Sequence, residues 1–194
     1  MLCSITVAAC GGGSSSGSGN VVTSGTAAQY FTKKAVGNKW AYTITNTGTV
    51  IETIALTVTA SSSNAVTYSY IYTPTGGVAG PASTSTAQID ATGALILTPS
   101  IGTTSTALPA TFSVGTTWVE MPATTAQAAI NGTIVAFNVT RTVPGGTFTD
   151  CLQVTYGSGA GTMTTYYSPS AGGNFVESIN SVSTYQLQPG YIAL

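Results

Sequence analysis

Apolar and polar residues alternate with a period of two along most of the chain after residue 30. A period of two places successive side chains on opposite faces of a β-strand, and Thr, Val, Ile and Tyr are frequent strand residues. The pattern therefore predicts half-buried antiparallel strands. It is clearest in Trp40–Ile44, Ile54–Val58, Val66–Tyr72, Val135–Val139 and Leu152–Tyr156.

Clusters of Gly, Pro, Asn and Ser separate these segments and predict turns. They are Asn46–Gly48, Ser61–Asn64, Pro74–Gly77, Pro144–Gly146, Gly157–Gly159 and Gly172–Asn174. No segment combines helical periodicity with caps, and the Ala-rich stretch Thr124–Ile130 is equally compatible with helix, strand or loop. We therefore predict an all-β fold, a single antiparallel β domain over residues 30–194 that forms a curved sheet, a half-barrel or a sandwich.

A short motif occurs twice. Val36-Gly37-Asn38-Lys39-Trp40 is echoed by Val114-Gly115-Thr116-Thr117-Trp118, and each copy precedes or opens a predicted strand. Gly allows a tight turn at the entrance, and Trp fills the end of a sheet. The echo indicates either two related halves or one favoured way to begin a strand.

The composition combines a large apolar fraction with very little charge. The 194 residues suffice for one domain that buries about 70% of its unfolded surface. Charged residues make up 5% of the chain, against about 25% in ordinary domains. A net charge of −1 gives no long-range attraction to nucleic acid or to an anionic membrane. It also gives little repulsion between copies, which favours self-association.

The N-terminus resembles the lipobox of bacterial lipoproteins. The apolar and small residues Ile5–Ala9 precede Cys10, and the Gly/Ser-rich stretch Gly11–Gly19 follows it. The resemblance implies cleavage before Cys10, acylation of its thiol and attachment to a membrane of the bacterial cell envelope, at the outer membrane or cell surface. We predict a signal peptide over residues 1–9 and a lipidated cysteine with a flexible tether over residues 10–29. The leader has no basic residue, so we expect that its true start lies upstream.

Cysteine usage agrees with export and leaves one alternative. Cys3 and Cys10 belong to the leader, so Cys151 is the one cysteine of the predicted domain. With Cys10 acylated, Cys151 is a small buried residue. With ordinary cleavage after Ala9, Cys10 is a free thiol that pairs with Cys151.

The domain itself is similar to uncharacterised bacterial envelope lipoproteins. Their first strand opens with a segment like Val36–Tyr42, and near their end they carry an aspartate-cysteine strand like Asp150–Val154. A turn like Tyr166–Val176 then leads to a last strand, here with extra residues. The resemblance implies an antiparallel β domain, as a curved sheet or half-barrel, with no established activity.

Residues for catalysis are scarce. The chain has no histidine, which excludes Ser-His-Asp and Cys-His arrangements and histidine zinc sites. No phosphate-binding glycine motif opens a helix. The carboxylates are Glu52, Asp90, Glu120, Asp150 and Glu177, and no spacing brings two of them together. We therefore predict no enzymatic activity, no catalytic residue, no metal and no cofactor.

Three side-chain groups are candidates for structure or binding. Asp150 is in phase with apolar residues, and an acid on an apolar face needs a partner. Arg141 supplies one if the strands around Pro144–Gly146 form a hairpin, as a structural ion pair or a ligand handle. Tyr68, Tyr70 and Tyr72 share one face of a strand and either bind an apolar ligand or build the core. Lys33, Lys34 and Lys39 either contact lipid headgroups or form a solvated strand entrance.

These observations lead to three functional hypotheses. The first is a non-enzymatic, lipid-anchored envelope protein with a binding or scaffolding role. The second is a self-assembling subunit of an extracellular fibre or surface layer, because low charge and free sheet edges favour pairing between copies. The third is a carrier of a hydrophobic ligand, which requires a concave sheet lined by tyrosines.

Overall fold

The computed structural model describes residues 22–31, 34–125, 127–158 and 161–190. These residues form fourteen β-strands and two 3₁₀ helices, Ala27–Tyr30 and Pro169–Ala171, which confirms the all-β prediction. The strands are β1 (Ser24–Thr26), β2 (Lys39–Asn46), β3 (Thr49–Ser61), β4 (Ala65–Pro74), β5 (Ser83–Ile89), β6 (Leu95–Pro99), β7 (Ser105–Leu108), β8 (Thr111–Ser113), β9 (Thr117–Met121), β10 (Ile130–Val143), β11 (Gly146–Ser158), β12 (Gly161–Tyr167), β13 (Phe175–Ile179) and β14 (Ser183–Leu187).

Twelve strands form one antiparallel sheet in the order β7-β6-β5-β4-β3-β2-β14-β13-β12-β11-β10-β9, and β1 pairs with β8 in a separate two-stranded sheet. The sheet curves until its edge strands β7 and β9 meet. There the indole Nε1 of Trp118 donates a hydrogen bond of 2.7 Å to the carbonyl oxygen of Thr106. The predicted curved sheet is therefore correct, and it is nearly closed.

The chain consists of two equivalent halves. Each half begins with a short strand of the small sheet, β1 or β8, and continues as a meander of six strands, β2–β7 or β9–β14. The meanders pair through β2 and β14 at one junction and meet through β7 and β9 at the other. The repeated glycine–tryptophan motif opens both meanders, which supports the interpretation as related halves.

The backbone of the repeated motif is the same in both copies. Gly37 and Gly115 have φ of 94° and 85°. The amide of Gly37 donates to Val58 O and that of Gly115 to Ile134 O, at 2.9 Å in each case. Val58 and Ile134 in turn donate to the residue after each glycine, again at 2.9 Å. Each copy thus joins the entrance turn to the neighbouring strand by two hydrogen bonds.

The tryptophans of the motif also pack alike. Trp40 lies edge-on to Tyr68 with 6.2 Å between ring centroids, and Trp118 lies edge-on to Tyr156 at 6.0 Å. Each tyrosine stands on the third strand of its own six-stranded meander. Such tilted pairs contribute about 0.5–1.5 kcal/mol beyond the area that they bury.

The core fills the concave face of the sheet. Alternate residues point inwards, as the sequence pattern predicts, and adjacent strands place them in register. The buried inward-facing residues are Trp40, Tyr42, Ile44, Ile54, Val58, Val66, Tyr68, Ala87, Leu95, Leu108, Ile134, Leu152, Val154, Tyr156 and Val176.

The two ends of the curved sheet differ. At one end, which we call the closed end, Trp40 Nε1 donates to Ala171 O of the second 3₁₀ helix, and Tyr30 packs against Phe112. At the other, which we call the open end, β2 ends at Asn46 opposite Ser183, and β9 ends at Met121 opposite Ile130. The turn between β13 and β14 lies at this open end.

The hairpin of β10 and β11 extends beyond the curved wall. Three register shifts interrupt its pairing between Ile134 and Arg141, and Asn138 adopts a left-handed φ of 54°. Bulges of this kind bend a strand. The far half of the hairpin therefore turns toward β14, where Gly145 N donates to Leu187 O at 2.8 Å.

One prediction about the domain limits is corrected, and another concerns residues that the structure does not describe. The predicted tether over residues 10–29 is too long, because Ser24–Thr26 pairs with β8 and Ala27–Tyr30 forms a 3₁₀ helix. The composition around Gly25 is that of a linker, but backbone pairing with a distant strand orders it. Cys10 and the predicted leader of residues 1–9 lie outside the described residues.

The repeated glycines generate a prediction about stability. Replacement of Gly37 or Gly115 by Ala places a Cβ in open space but in a left-handed conformation, which costs about 1–2 kcal/mol. We expect each variant to lower the free energy of unfolding in urea by this amount. Gly161→Ala is the matched control, because its Cβ also meets open space without a positive φ. An equal loss in all three variants would contradict the conformational explanation.

Candidate functional site

A cavity of about 560 Å³ lies at the open end of the curved sheet. Its wall is formed by side chains from β6, β7, β9, β10, β11 and β12 and by the turn between β13 and β14. The lining is mainly apolar and includes Leu97, Met121, Ile130, Met163 and Val182. The volume lies within the range of roughly 300–1,000 Å³ that is usual for small-molecule sites.

Two tyrosine hydroxyls form a short chain in the cavity wall. Tyr156 donates to the carbonyl oxygen of Ala107 at 2.8 Å, and its oxygen lies 2.9 Å from that of Tyr167. Since a phenol has one proton, Tyr167 must donate to Tyr156. Burial raises the pKa of Tyr167 to about 12 and that of Tyr156 well above its ordinary value. Both phenols therefore stay neutral at physiological pH.

Glu120 is the charged group of the cavity. It stands on β9 two residues after Trp118 and is half-buried on the inward face. Burial raises the pKa of its carboxyl, and a hydrogen bond from Ser105 partly offsets this shift. Glu120, Tyr156 and Tyr167 line the same cavity. The charge of Glu120 adds to the effect of burial in raising the pKa of both tyrosines.

The equivalent position in the first half carries an ordinary core residue. Two residues after Trp40 stands Tyr42, which is 1% exposed, donates to Phe175 O at 2.9 Å and stacks on the Phe175 ring. The second half places a carboxyl where the first half places a packed aromatic ring. Departures from good packing concentrate at functional sites.

The wall of the cavity depends on a close approach of glycine to tryptophan. A Cβ on Gly132 would lie 2.3 Å from Cζ2 of Trp118, so only glycine leaves room for the indole at this point of β10. The indole in turn bonds to Thr106 across the meeting edges. The position of Glu120 is thereby fixed relative to β7.

The predicted tyrosine stripe lies on the inward face but does not line this cavity. Tyr68 is 6% exposed, packs against Trp40 and has its hydroxyl 3.4 Å from Asn174 Oδ1. Tyr70 and Tyr72 pack edge-on at 5.7 Å, and Tyr72 is 40% exposed near the end of β4. Tyr68 thus belongs to the core, and a binding role of the stripe stays a prediction.

The predicted pairing of Arg141 with Asp150 is corrected. The hairpin forms as expected, but Arg141 pairs with Glu177 of β13, which is 3% exposed. Gln186 donates to the same carboxylate at 2.9 Å, and the guanidinium lies 4.4 Å from the centroid of the Tyr166 ring. The bulges in β10 turn Arg141 toward β13, which the sequence spacing does not reveal.

Asp150 instead organises the loop at the closed end. Its carboxylate accepts hydrogen bonds from the hydroxyls of Ser168 at 2.6 Å and Ser170 at 3.0 Å and from the amide of Ser170 at 2.9 Å. Burial alone would raise the pKa of Asp150, but these hydrogen bonds outweigh it and the pKa is lowered. The partners hold the loop of residues 168–174 beside Trp40.

Cys151 is buried and unreactive in character. It is fully inaccessible, and its thiol is free among the described residues. Burial raises its pKa to about 11, with a further contribution from the charge of Asp150. Since the thiolate is the reactive form, this cysteine fits a packing role.

Lys34 departs from the predicted lysine cluster. It is 4% exposed, with its ammonium 5.7 Å from the Trp40 ring centroid and 5.8 Å from those of Phe31 and Tyr68. Burial lowers its pKa to about 8. Lys39 is exposed, whereas Lys33 lies outside the described residues. Neither a headgroup contact nor a solvated entrance describes Lys34, because the closed end folds over it.

Sequence reasoning did not single out Glu120, Tyr156 or Tyr167 as a group. Glu120 was one of several carboxylates without a neighbour in the sequence. A signal was present, because extending the echoed motif by two residues aligns Glu120 with Tyr42. The tyrosines come from β11 and β12, whose register no local pattern fixes.

No cluster of three or more Cys, Asp or Glu side chains suited to a metal occurs among residues 22–31, 34–125, 127–158 and 161–190. Within the same ranges, no helix has the length and apolarity needed to cross a membrane.

The raised pKa of Glu120 predicts how the stability of the protein depends on pH. The pKa of Glu120 is higher in the folded protein than in the unfolded chain. At a pH above the ordinary Glu pKa of about 4.3, ionised Glu120 therefore lowers the stability of the folded state. We expect Glu120→Gln to raise the free energy of unfolding at pH 7.5 by up to about 1 kcal/mol, since a half-exposed group is screened by solvent. The gain should vanish at pH 3.5, as measured by urea denaturation.

Asp90→Asn is a control of opposite sign. The side-chain hydrogen bond from Thr92 and backbone bonds from the same turn lower the pKa of Asp90. Its charged form therefore favours folding, and the variant should lose stability at pH 7.5 but not at low pH. If Glu120→Gln were as stable as the wild type at both pH values, the raised pKa of Glu120 would be contradicted.

Comparison with known proteins gives a fold. No protein-family model matches the chain, and no curated protein matches it in sequence. A solved structure from Bacteroides fragilis, described as a "putative exported protein with YmcC-like fold", aligns with a TM-score of 0.60 at 12% identity, over 82% of this chain and 97% of that chain. A "putative lipoprotein" from Parabacteroides distasonis aligns with a TM-score of 0.49 at 16% identity, over 82% of this chain and 97% of that chain. The chain therefore shares the fold of the Bacteroides fragilis protein.

Proposed function

We propose that this protein is a lipid-anchored protein of the bacterial cell envelope that binds a small apolar ligand at the open end of its curved sheet. The observation that carries the proposal is the cavity of about 560 Å³, because its wall is mainly apolar and includes the polar side chains of Glu120 and Tyr167. Such a combination is the usual form of a small-molecule site.

The proposed role is binding rather than catalysis. The chain has no histidine, and both cavity phenols are neutral groups already bonded within the protein. Among the described residues, Glu120 is the one carboxyl that lines the cavity, and chemistry that uses a pair of carboxyl groups would need a second. The site offers shape, apolar surface and one charge.

Envelope location is the second part of the proposal. The lipobox-like sequence around Cys10 supports it, as does a fold shared with a protein described as exported. A Gly/Ser tether up to about residue 21 would hold the domain clear of lipid headgroups. Several acyl chains on one cysteine are needed for stable anchoring, because a single chain gives only marginal attachment.

The alternative of a self-assembling fibre subunit receives less support. Pairing between copies needs a free sheet edge. The edge strands β7 and β9 instead face each other, and the indole of Trp118 on β9 donates a hydrogen bond to the carbonyl oxygen of Thr106 on β7. This contact leaves less of either edge free to pair with a second copy.

Occupation of the cavity is tested with the neutral apolar dye Nile red. We expect saturable fluorescence enhancement with the wild type. Met163→Trp should weaken binding by roughly tenfold or more, because the larger indole fills part of the cavity and the ligand then loses a buried apolar contact worth more than about 1.4 kcal/mol. Val119→Trp is the matched control, since Val119 lies on the outward face of β9 and is 52% exposed. Equal loss in both variants, or no binding by the wild type, would overturn the proposed cavity function.

Anchoring is tested by fractionation of native host cells. We expect the wild type in the membrane fraction, with an intact mass that shows a chain beginning at Cys10 with added acyl groups. Cys10→Ala should move the protein to the soluble fraction. Cys3→Ala is the matched control, because it removes the other cysteine of the leader and should leave attachment unchanged. Membrane association of Cys10→Ala, or an unmodified wild-type mass, would overturn the anchor.

A further inference from the structure

The polar groups at the inner wall of the cavity are hydrogen-bond acceptors. Tyr156 uses its proton on Ala107 O and Tyr167 uses its proton on Tyr156. The Tyr167 oxygen retains its lone pairs, and the Glu120 carboxylate is an acceptor on both oxygens when ionised. A ligand group that reaches this wall must therefore donate hydrogen bonds.

Among the residues that the structure describes, no cation lies at this wall. Among the described residues Lys34 is buried at the closed end, Lys39 begins β2 at that same end, and Arg141 pairs with Glu177. None of them lines the cavity. The carboxyl group of Glu120 is thus half-buried in a mainly apolar wall, with no cation of the described residues lining the cavity. This arrangement disfavours its charge.

The rim differs from the inner wall in exposure and chemistry. Asn180 Oδ1 accepts from the amides of Val182 and Ser183 at 2.9 and 2.7 Å, which fixes the turn between β13 and β14. Thr162 and Ser181 are exposed hydroxyl residues that can donate as well as accept. The rim therefore tolerates many groups, whereas the inner wall selects a donor.

We infer that the ligand is an amphiphile with an alkyl chain and a primary ammonium group, and that the ammonium binds Glu120 and Tyr167 while the chain lies against Met121, Met163 and Ile130. An ammonium offers three donors and a positive charge, which match the acceptor wall and its carboxylate. The alkyl chain matches the apolar lining. This inference rests on the proposed binding function and names its ligand class.

The test compares decylamine, decan-1-ol and decanoate by isothermal titration calorimetry at pH 7.5, below the micelle concentrations of the amine and the carboxylate and below the solubility limit of the alcohol. The full chain carrying Cys10→Ala keeps lipid and detergent out of the titration. We expect decylamine to bind roughly tenfold to a hundredfold more tightly than decan-1-ol, as charged hydrogen bonds allow. Decanoate should bind more weakly than decan-1-ol, because two carboxylates repel.

Two variants assign the preference to its residue. Glu120→Gln keeps the shape of the side chain and should reduce the affinity for decylamine to that for decan-1-ol. Glu52→Gln removes an equal charge from β3, opposite Ile44 and outside the cavity lining, and should retain the preference. If both variants lost the preference for decylamine over decan-1-ol, the amine would be attracted by the overall negative charge of the open end. That result would overturn the pairing with Glu120.

The outcomes separate this inference from the function on which it rests. If decan-1-ol and decylamine bind equally to the wild type, the cavity binds apolar ligands but the ammonium assignment fails. If decanoate binds most tightly, the ammonium assignment fails, because the site then prefers an anion to a cation. If none of the three binds and Nile red also does not, the binding function itself fails.

Discussion

An apolar face that must be covered without helices is the constraint on which this fold depends. Every strand of the large sheet carries inward apolar side chains, and the described helices are two short 3₁₀ turns. A sheet in this situation buries its face by curving until it covers itself. Contact between the edge strands follows, and the indole of Trp118 completes it. The open and closed ends are the places where such a curved wall has to stop.

The interiors of the two halves of the chain are packed differently. In the first half Trp40 and Tyr42 belong to a packed interior that also buries Lys34 at the closed end. In the second half the equivalent residues are Trp118 and Glu120, and the space beside them is left as a cavity. A single difference between equivalent positions, an aromatic ring against a carboxyl, thus marks the candidate site without any reference to other proteins.

Much of the fold follows from local pattern, and little of the site does. Alternation predicted the strands around Trp40, Val66 and Val154, because a period of two is a local property of the backbone. The strand Ser24–Thr26 was not predicted, because it is formed by pairing with β8, which is distant in the sequence. The partner of Arg141 was missed because bulges in β10 redirect that strand. The cavity joins β6, β9 and β12, and its existence depends on register and curvature that composition does not encode.

The strand order has a consequence for how the chain reaches its native state. Each six-stranded meander contains neighbours in sequence, so its hairpins close short loops and form fast. The junction of β2 with β14 joins the two ends of the domain, with Tyr42 opposite Leu187. A chain made from its N-terminus therefore keeps β2 without its second neighbour until the last strand is available. The wall formed by the turn between β13 and β14 is equally late, so occupancy of the cavity would report that synthesis and folding are complete.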